Sequence, residues 1–456
     1  MFKNFGGNFT GLISVYTDFA AIEVDTRQIN LTRFPLFFPE KRTFFLEGSD
    51  IFDFGLGTRV GADWDVIPFF TRRIGLVQGR VVPLDFSIKG TGSIGQFNFG
   101  ILDVLTRPVD ELAPRTNLFA ARGYHNIWSE SKFGFLVTAG DPMGLPDRWL
   151  VGLDFTYKTT HFQGNKNFLL GVWGILNSFK GLQGDRSSYG FKIDYPNDLW
   201  DIALVFKRIG SDFEPSLGFV PQKGIYKLDG SIRYQPRPHL TWLRQMLHQI
   251  YFTVVSEVDG QISQWRILTL PLSWRLESGD QVDINVIFFG EQLKESFNLT
   301  PDIFASPGKH RWRRGRIGYT SSNKHRWKTK LNWWFGNFYD GHMNQYQAEL
   351  SWRPSHRFNL SLEGERNLGR LPSGSFDIQL GRARMSLFFS PNFQIISFIQ
   401  YDNLSRSIGM NTRLRWTYRS LFDIFIVYNR DWFDINSSFQ AHLNQFLIKI
   451  QYAWRF

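Results

Sequence analysis

Polar and apolar positions alternate along most of this chain. In Phe446-Leu-Ile-Lys-Ile-Gln-Tyr-Ala-Trp-Arg-Phe456, a period-two count puts Phe446, Ile448, Ile450, Tyr452, Trp454 and Phe456 on one side. Lys449, Gln451 and Arg455 fall on the other. Period two belongs to an extended strand, whose successive side chains point to opposite faces. The pattern returns at 148–158, where Trp149, Val151, Leu153, Phe155 and Tyr157 alternate with Gly152, Asp154, Thr156 and Lys158. At 226–234 Leu228 and Ile232 oppose Lys227, Asp229 and Arg233; at 346–352 Leu350 opposes Gln347 and Glu349. At 408–418 Met410, Leu414 and Trp416 oppose Arg413 and Arg415, and Phe422, Ile424, Ile426 and Tyr428 form another apolar row. Strands of about 10 residues with one apolar and one polar face, aromatics near an end and an aromatic last residue predict an all-β fold. The expected fold is a transmembrane antiparallel up-and-down β-barrel, with lipid on one face and water on the other.

The connections set the count. Ser390-Pro-Asn392, Arg353-Pro-Ser-His356, Arg419-Ser-Leu421 and Glu277-Ser-Gly-Asp280 read as tight turns. Polar stretches at 292–311, 366–375 and 429–442 read as longer loops on the opposite side. Counting back from Phe456 to residue 66 gives about 22 strands, and residues 8–25 add one or two, so a barrel of about 22–24 strands is expected, wide enough to need a plug or hold a channel. Residues 26–65 break the alternation. They carry Pro35, Pro39 and many charges, too many for a lipid-facing strand, yet are too apolar for a disordered loop. The expectation is a segment folded into the lumen or across one mouth, giving an N-terminal strand plus plug at 1–65 and a barrel at 66–456.

Composition narrows this further. Aromatics make up 17% of the 456 residues, and Trp and Tyr suit a membrane interface. No run of 18 apolar residues exists, which excludes a helical membrane protein. The absence of Cys fits a periplasm-facing chain. A net charge of +11 could suggest nucleic acid, but the basic residues fall at lumen or loop positions. Outer-membrane lipid and lipopolysaccharide are therefore the expected partners, with a periplasmic or surface protein as a further one, and not nucleic acid. The first residues carry no leader pattern, so a mature form or a fragment is expected.

One stretch is distinctive: Asp18-Phe, Glu23-Val-Asp25, Gln28-Ile-Asn-Leu-Thr-Arg-Phe34, Phe37-Phe-Pro-Glu-Lys-Arg42, Phe45-Leu-Glu47 and Phe70-Thr-Arg-Arg-Ile-Gly75. It resembles the uncharacterised outer-membrane barrel domain that often follows a family-9-like carbohydrate-binding module in Bacteroidetes-type bacteria. The resemblance implies an outer-membrane barrel of a Gram-negative cell. The sugar-binding module is absent from this sequence, so no sugar-binding residue is carried over.

Two charge sets could carry function. The first is Asp18, Glu23, Asp25, Arg27, Arg33, Glu40, Lys41, Arg42, Glu47, Asp50, Arg72 and Arg73. Within a barrel such charges must pair, so they are expected to pin the plug to the wall. A gate or solute surface, or a calcium site without regular ligand spacing, stands beside that. The second is a basic stripe, Arg314, Arg316, Lys328 and Lys330, expected to face inward opposite Ile317, Tyr319, Leu331 and Trp333. It would be either a solvated wall or an anion-attracting row. Gly90-Thr-Gly-Ser-Ile-Gly95 mimics a dinucleotide fingerprint, but a strand pattern follows it where that motif needs a helix, so a glycine-rich hairpin is expected. No hydrolase motif is present. The expected function is a channel or conduit for a solute or polymer, gated by the N-terminal segment, without enzyme activity or cofactor. A plugged barrel anchoring a complex is the alternative, and a barrel hydrolase stands behind both.

Overall fold

The structure is a computed structural model describing residues 2–4, 8–17, 25–55, 59–60, 63–178, 181, 183–420, 422–435 and 438–452. The chain is all-β: one antiparallel sheet of 24 strand segments. Leu243–Met246 and His248–Glu257 both pair with Ile262–Leu276, one beyond the other, so the 24 segments occupy 23 positions. Each strand pairs with its neighbours in the chain, in up-and-down order. The exception in spacing is Phe9–Thr17, which pairs with Leu84–Ile94 across the intervening segment.

The sheet is not closed into a barrel. Among the described residues Phe2–Asn4 pairs with Phe9–Thr17 and Ser438–Tyr452 with Phe422–Ile435, and no ladder joins the first to the last. The last aromatics, Trp454 and Phe456, lie outside the described residues. The expected tight turns after Leu276, Ser355 and Ser390 are present. Two expected long loops are not loops. Residues 366–375 run through Phe358–Leu371 and Gly374–Ser390, joined by a two-residue turn. Residues 429–442 are divided between Phe422–Ile435 and Ser438–Tyr452. Cross-strand backbone bonds need no apolar side chains, so a hairpin can stay regular where its side chains turn polar. The stretch after Leu293 does leave the ladder. It makes its own small hairpin, Phe297–Asn298 against Phe304–Ala305, before rejoining at Gly308.

The sheet has two unlike faces. One exposes apolar side chains from end to end, among them Ile88, Phe135, Leu153, Ile267, Leu331 and Ile448. The other carries residues 25–83, whose later part packs on its first strands while Arg27 and Arg33 reach strands further along. The described residues of this stretch contain a four-residue helix, Thr43–Leu46, short 3-10 turns and two-residue strands, because prolines and charges interrupt any longer ladder. They bury Phe45, Phe52, Phe54, Val66, Phe69 and Ile74 in one cluster with sheet residues such as Leu102, Leu136, Trp173 and Ile209. Two wall glycines make room for this. A Cβ at Gly100 would stand 2.9 Å from the Phe52 ring, and one at Gly152 2.7 Å from that of Phe54. The expected glycine-rich hairpin turns at Gly95, while 90–94 belong to the strand before it.

Candidate functional site

The charges of residues 25–83 sort into ties within the segment and ties to the sheet. Within it, the Arg42 guanidinium donates to both Glu40 oxygens at 2.8 and 2.6 Å, and to the carbonyls of Ile74 and Thr71 at 2.6 and 2.7 Å. The Thr71 hydroxyl donates to the same carboxylate at 2.8 Å. Burial alone would raise the Glu40 carboxyl, but the Arg42 bonds and charge outweigh it and hold the group below its ordinary range. Arg72 donates to Asp25, with Lys41 3.7 Å from the same carboxylate. Residues 25, 40–42 and 71–74 are thereby locked together.

Ties to the sheet reach strands far apart in the chain. Arg27 donates to Asp402 at 2.8 Å and to the Ser407 carbonyl at 2.7 Å, and its amide donates to Gln400 at 2.9 Å. Arg33 donates to Glu291 at 2.7 Å, and in the connection between Trp200–Ile209 and Ile225–Tyr234 the Ser216 carbonyl accepts from Arg73 at 3.3 Å. Ile67 and Phe219 exchange backbone bonds of 2.9 and 2.8 Å. Glu47 contributes its backbone carbonyl, which accepts from Lys89 together with those of Phe44 and Phe45; its carboxylate is exposed. Asp50 is exposed in a 3-10 turn. Asp18 and Glu23 lie outside the described residues.

The strongest ties involve residues that local patterning did not single out. Arg122 and Asp154 form a two-pronged pair at 2.6 and 2.9 Å, both fully buried. The Asp53 carbonyl and the Gly55 amide bond to this pair, each at 3.2 Å. Burial pushes the Asp53 carboxyl above its usual range. Further along, Asp65 accepts from Lys207 and from Lys227, the latter at 2.7 Å. Asp229 stands 3.6 Å from Lys207 and accepts from Tyr251 and Thr253 at 3.0 and 2.8 Å. Two lysines and two aspartates thus close a neutral buried cluster between segment and sheet. Burial works to raise the Asp65 carboxyl, but the two ammonium groups prevail and hold it low. The alternation had put Asp154, Lys227 and Asp229 on this face. The only signal for Arg122 was a charge in a strand otherwise without ions, and Lys207 stood beside Arg208 with nothing in the sequence to mark it.

The basic stripe lies on the same face, across strands Gly308–Thr320 and Trp327–Phe338. Arg316 stands opposite Trp334 and Thr320 opposite Lys330 in the register. Arg314 is 9% exposed, and its Nε and Nη2 are buried without a hydrogen-bond partner. Arg316 donates to Asn285 at 3.1 Å and stands 3.6 Å from Asp283, with its Nε unpartnered. Both guanidinium groups sit over the Trp334 ring, at 5.7 and 5.4 Å. Lys328 is half-buried and Lys330 exposed. Among the described residues no group of three His, Asp or Glu side chains could hold a metal ion.

Residues 6–80 match the model of a domain of unknown function, DUF5916. The matched stretch covers Phe9–Thr17 and most of the docked segment, including the Glu40–Arg42 lock and Asp65. No curated protein matches the chain.

Proposed function

We propose that this chain is a transmembrane barrel of a Gram-negative outer membrane, closed by its first and last strands, with residues 25–83 inside as a plug. In this reading it acts as a conduit gated by that segment: the path runs along the basic stripe, opens when residues 25–83 shift against the wall, and favours anionic solutes. The observation that carries the proposal is the exposed apolar face. Ile88, Phe135, Leu153, Ile267, Leu331 and Ile448 are spread over the whole sheet, where a water-soluble protein rarely exposes more than a few hundred Å² of contiguous apolar surface. Closure belongs to this reading, because a sheet edge cannot stay unpaired in lipid. One observation favours the second reading, a permanently plugged barrel that anchors a partner complex. The charge clusters at Arg122–Asp154 and Asp65 are matched, and the segment shares a hydrophobic cluster with the wall.

The test exploits the absence of cysteine. Ile67→Cys with Phe219→Cys replaces a directly hydrogen-bonded pair, whose Cα separation of about 5.5 Å suits a disulfide. Planar-bilayer conductance is then read with the bridge oxidised and reduced. A conduit should conduct anions when reduced and close when oxidised. Silence in both states would sink the conduit and leave the anchor.

A further inference from the structure

The apolar face is not uniform. Between Gly308–Thr320 and Phe393–Asp402 it is hollowed into a groove of 670 Å³. The register explains the hollow: Tyr319, Leu331, Ala348, Gly364, Gly381 and Tyr401 form one row across six strands. Its middle three members are Ala or Gly, while its ends are large and exposed. A Cβ added at Gly364 or Gly381 would meet nothing within 4 Å. The next row, Ile317, Trp333, Tyr346 and Arg366, forms the upper wall, with Trp333 and Tyr346 stacked 6.3 Å apart. Arg366 is neutralised there by Asp377 at 2.7 Å.

Four residues further up three of these strands lies a second feature. Arg313, His342 and Arg370 are exposed on this same face, and His342 and Arg370 are register partners. None of the three has an ion-pair partner among the described residues. Arg311 and Lys309 continue the set up the same strand, alternating with buried His310 and Trp312. Four residues at about 3.4 Å each place this row, with its two arginines, about 14 Å along the strands from the groove wall, which at a tilt of about 40° is about 10 Å of height in an apolar band of about 25 Å.

We propose that this groove holds one lipid of the surrounding leaflet whose phosphate head carries net negative charge. An acyl chain lies over Ala348, Gly364 and Gly381, and the phosphate rests among Arg313, His342 and Arg370. The inference rests on the membrane placement proposed above. Charge selects the occupant: a bare apolar groove would accept any chain, whereas unpaired Arg313 and Arg370 nearly one leaflet's depth away select an anionic head.

The experiment uses the full chain in phosphatidylcholine nanodiscs doped with lipid A, followed by native mass spectrometry. The expected result is one lipid A retained per wild-type chain. Gly364→Trp with Gly381→Leu should lower retention of lipid A at least tenfold. Arg313→Glu with Arg370→Glu, at exposed positions that folding tolerates, should lower lipid A retention similarly and leave that of phosphatidylcholine unchanged. Equal retention of both lipids by the wild type, or a second copy of the chain seated in place of lipid, would overturn the site alone. A chain that never enters the discs would overturn the membrane placement and the site with it.

Discussion

Two parts of one face invite comparison: the wall beneath the N-terminal segment and the basic stripe beyond it. Both bury cations. Under the segment Lys89, Arg122, Lys207 and Lys227 all meet carboxylates or carbonyls. In the stripe the buried Arg314 has two guanidinium nitrogens without a partner, and Arg316 one. A matched buried charge is a structural tie, and losing one partner is far costlier than the pair is worth. An unmatched one is a standing cost that only an anion or water could relieve. The difference separates the part of this face built to hold from the part able to attract.

The largest expected effect tests the holding side. Asp154→Ala would leave Arg122 buried and unpaired, at a cost of about 3–5 kcal/mol. Chemical denaturation followed by electrophoretic mobility would show it; a loss below 1 kcal/mol would mean the pair is not what ties the wall to residues 53–55. Next comes the face assignment that both regions presuppose. Leu350→Arg, on the apolar face, should cost about 2–4 kcal/mol of stability in vesicles, against little for Glu349→Arg. Equal costs would reverse the faces.

Smaller effects sharpen the contrast. Arg314→Leu should be neutral or stabilising by about 1 kcal/mol, since it removes an uncompensated buried charge, while shifting the reversal potential toward cations. A loss of several kcal/mol would show that Arg314 is paired after all. Least in energy is the pH effect. Glu40 and Asp65 are both held below their ordinary values, so their contribution is present above the unfolded carboxylate range, near pH 4, and fades as pH falls through the lower folded values. Residues 25–83 should become protease-sensitive in acid, whereas Arg314, with no carboxylate partner, should keep its environment. Loosening on the alkaline side of neutrality instead would contradict the sign.

The strands were legible because each separates an apolar from a polar environment and so writes a period of two into the chain. Trp149 to Lys158 is the clear case. Residues 366–375 and 429–442 were misread because that contrast fades toward the hairpin tips, while the backbone ladder continues. The site was legible only locally. Glu40 and Arg42, two residues apart, announce each other. Asp65 finds Lys207 and Lys227 across 142 and 162 residues, a distance no spacing rule spans. Gly100 and Gly152 held the remaining signal: small residues facing the segment, where Phe52 and Phe54 come to rest.

The pairing of Phe9–Thr17 with Leu84–Ile94 has a mechanical consequence. Thr17 and Leu84 are register partners, so the two strands that flank residues 25–83 in the chain lie side by side. The segment is a bight, not a dangling end. A pull on it is divided between two strands and loads the ladders that hold those strands to their other neighbours. It cannot be drawn out like a thread from one terminus. A single cut within it would leave both halves attached, and a force large enough to clear it would first have to unzip the strands that carry it.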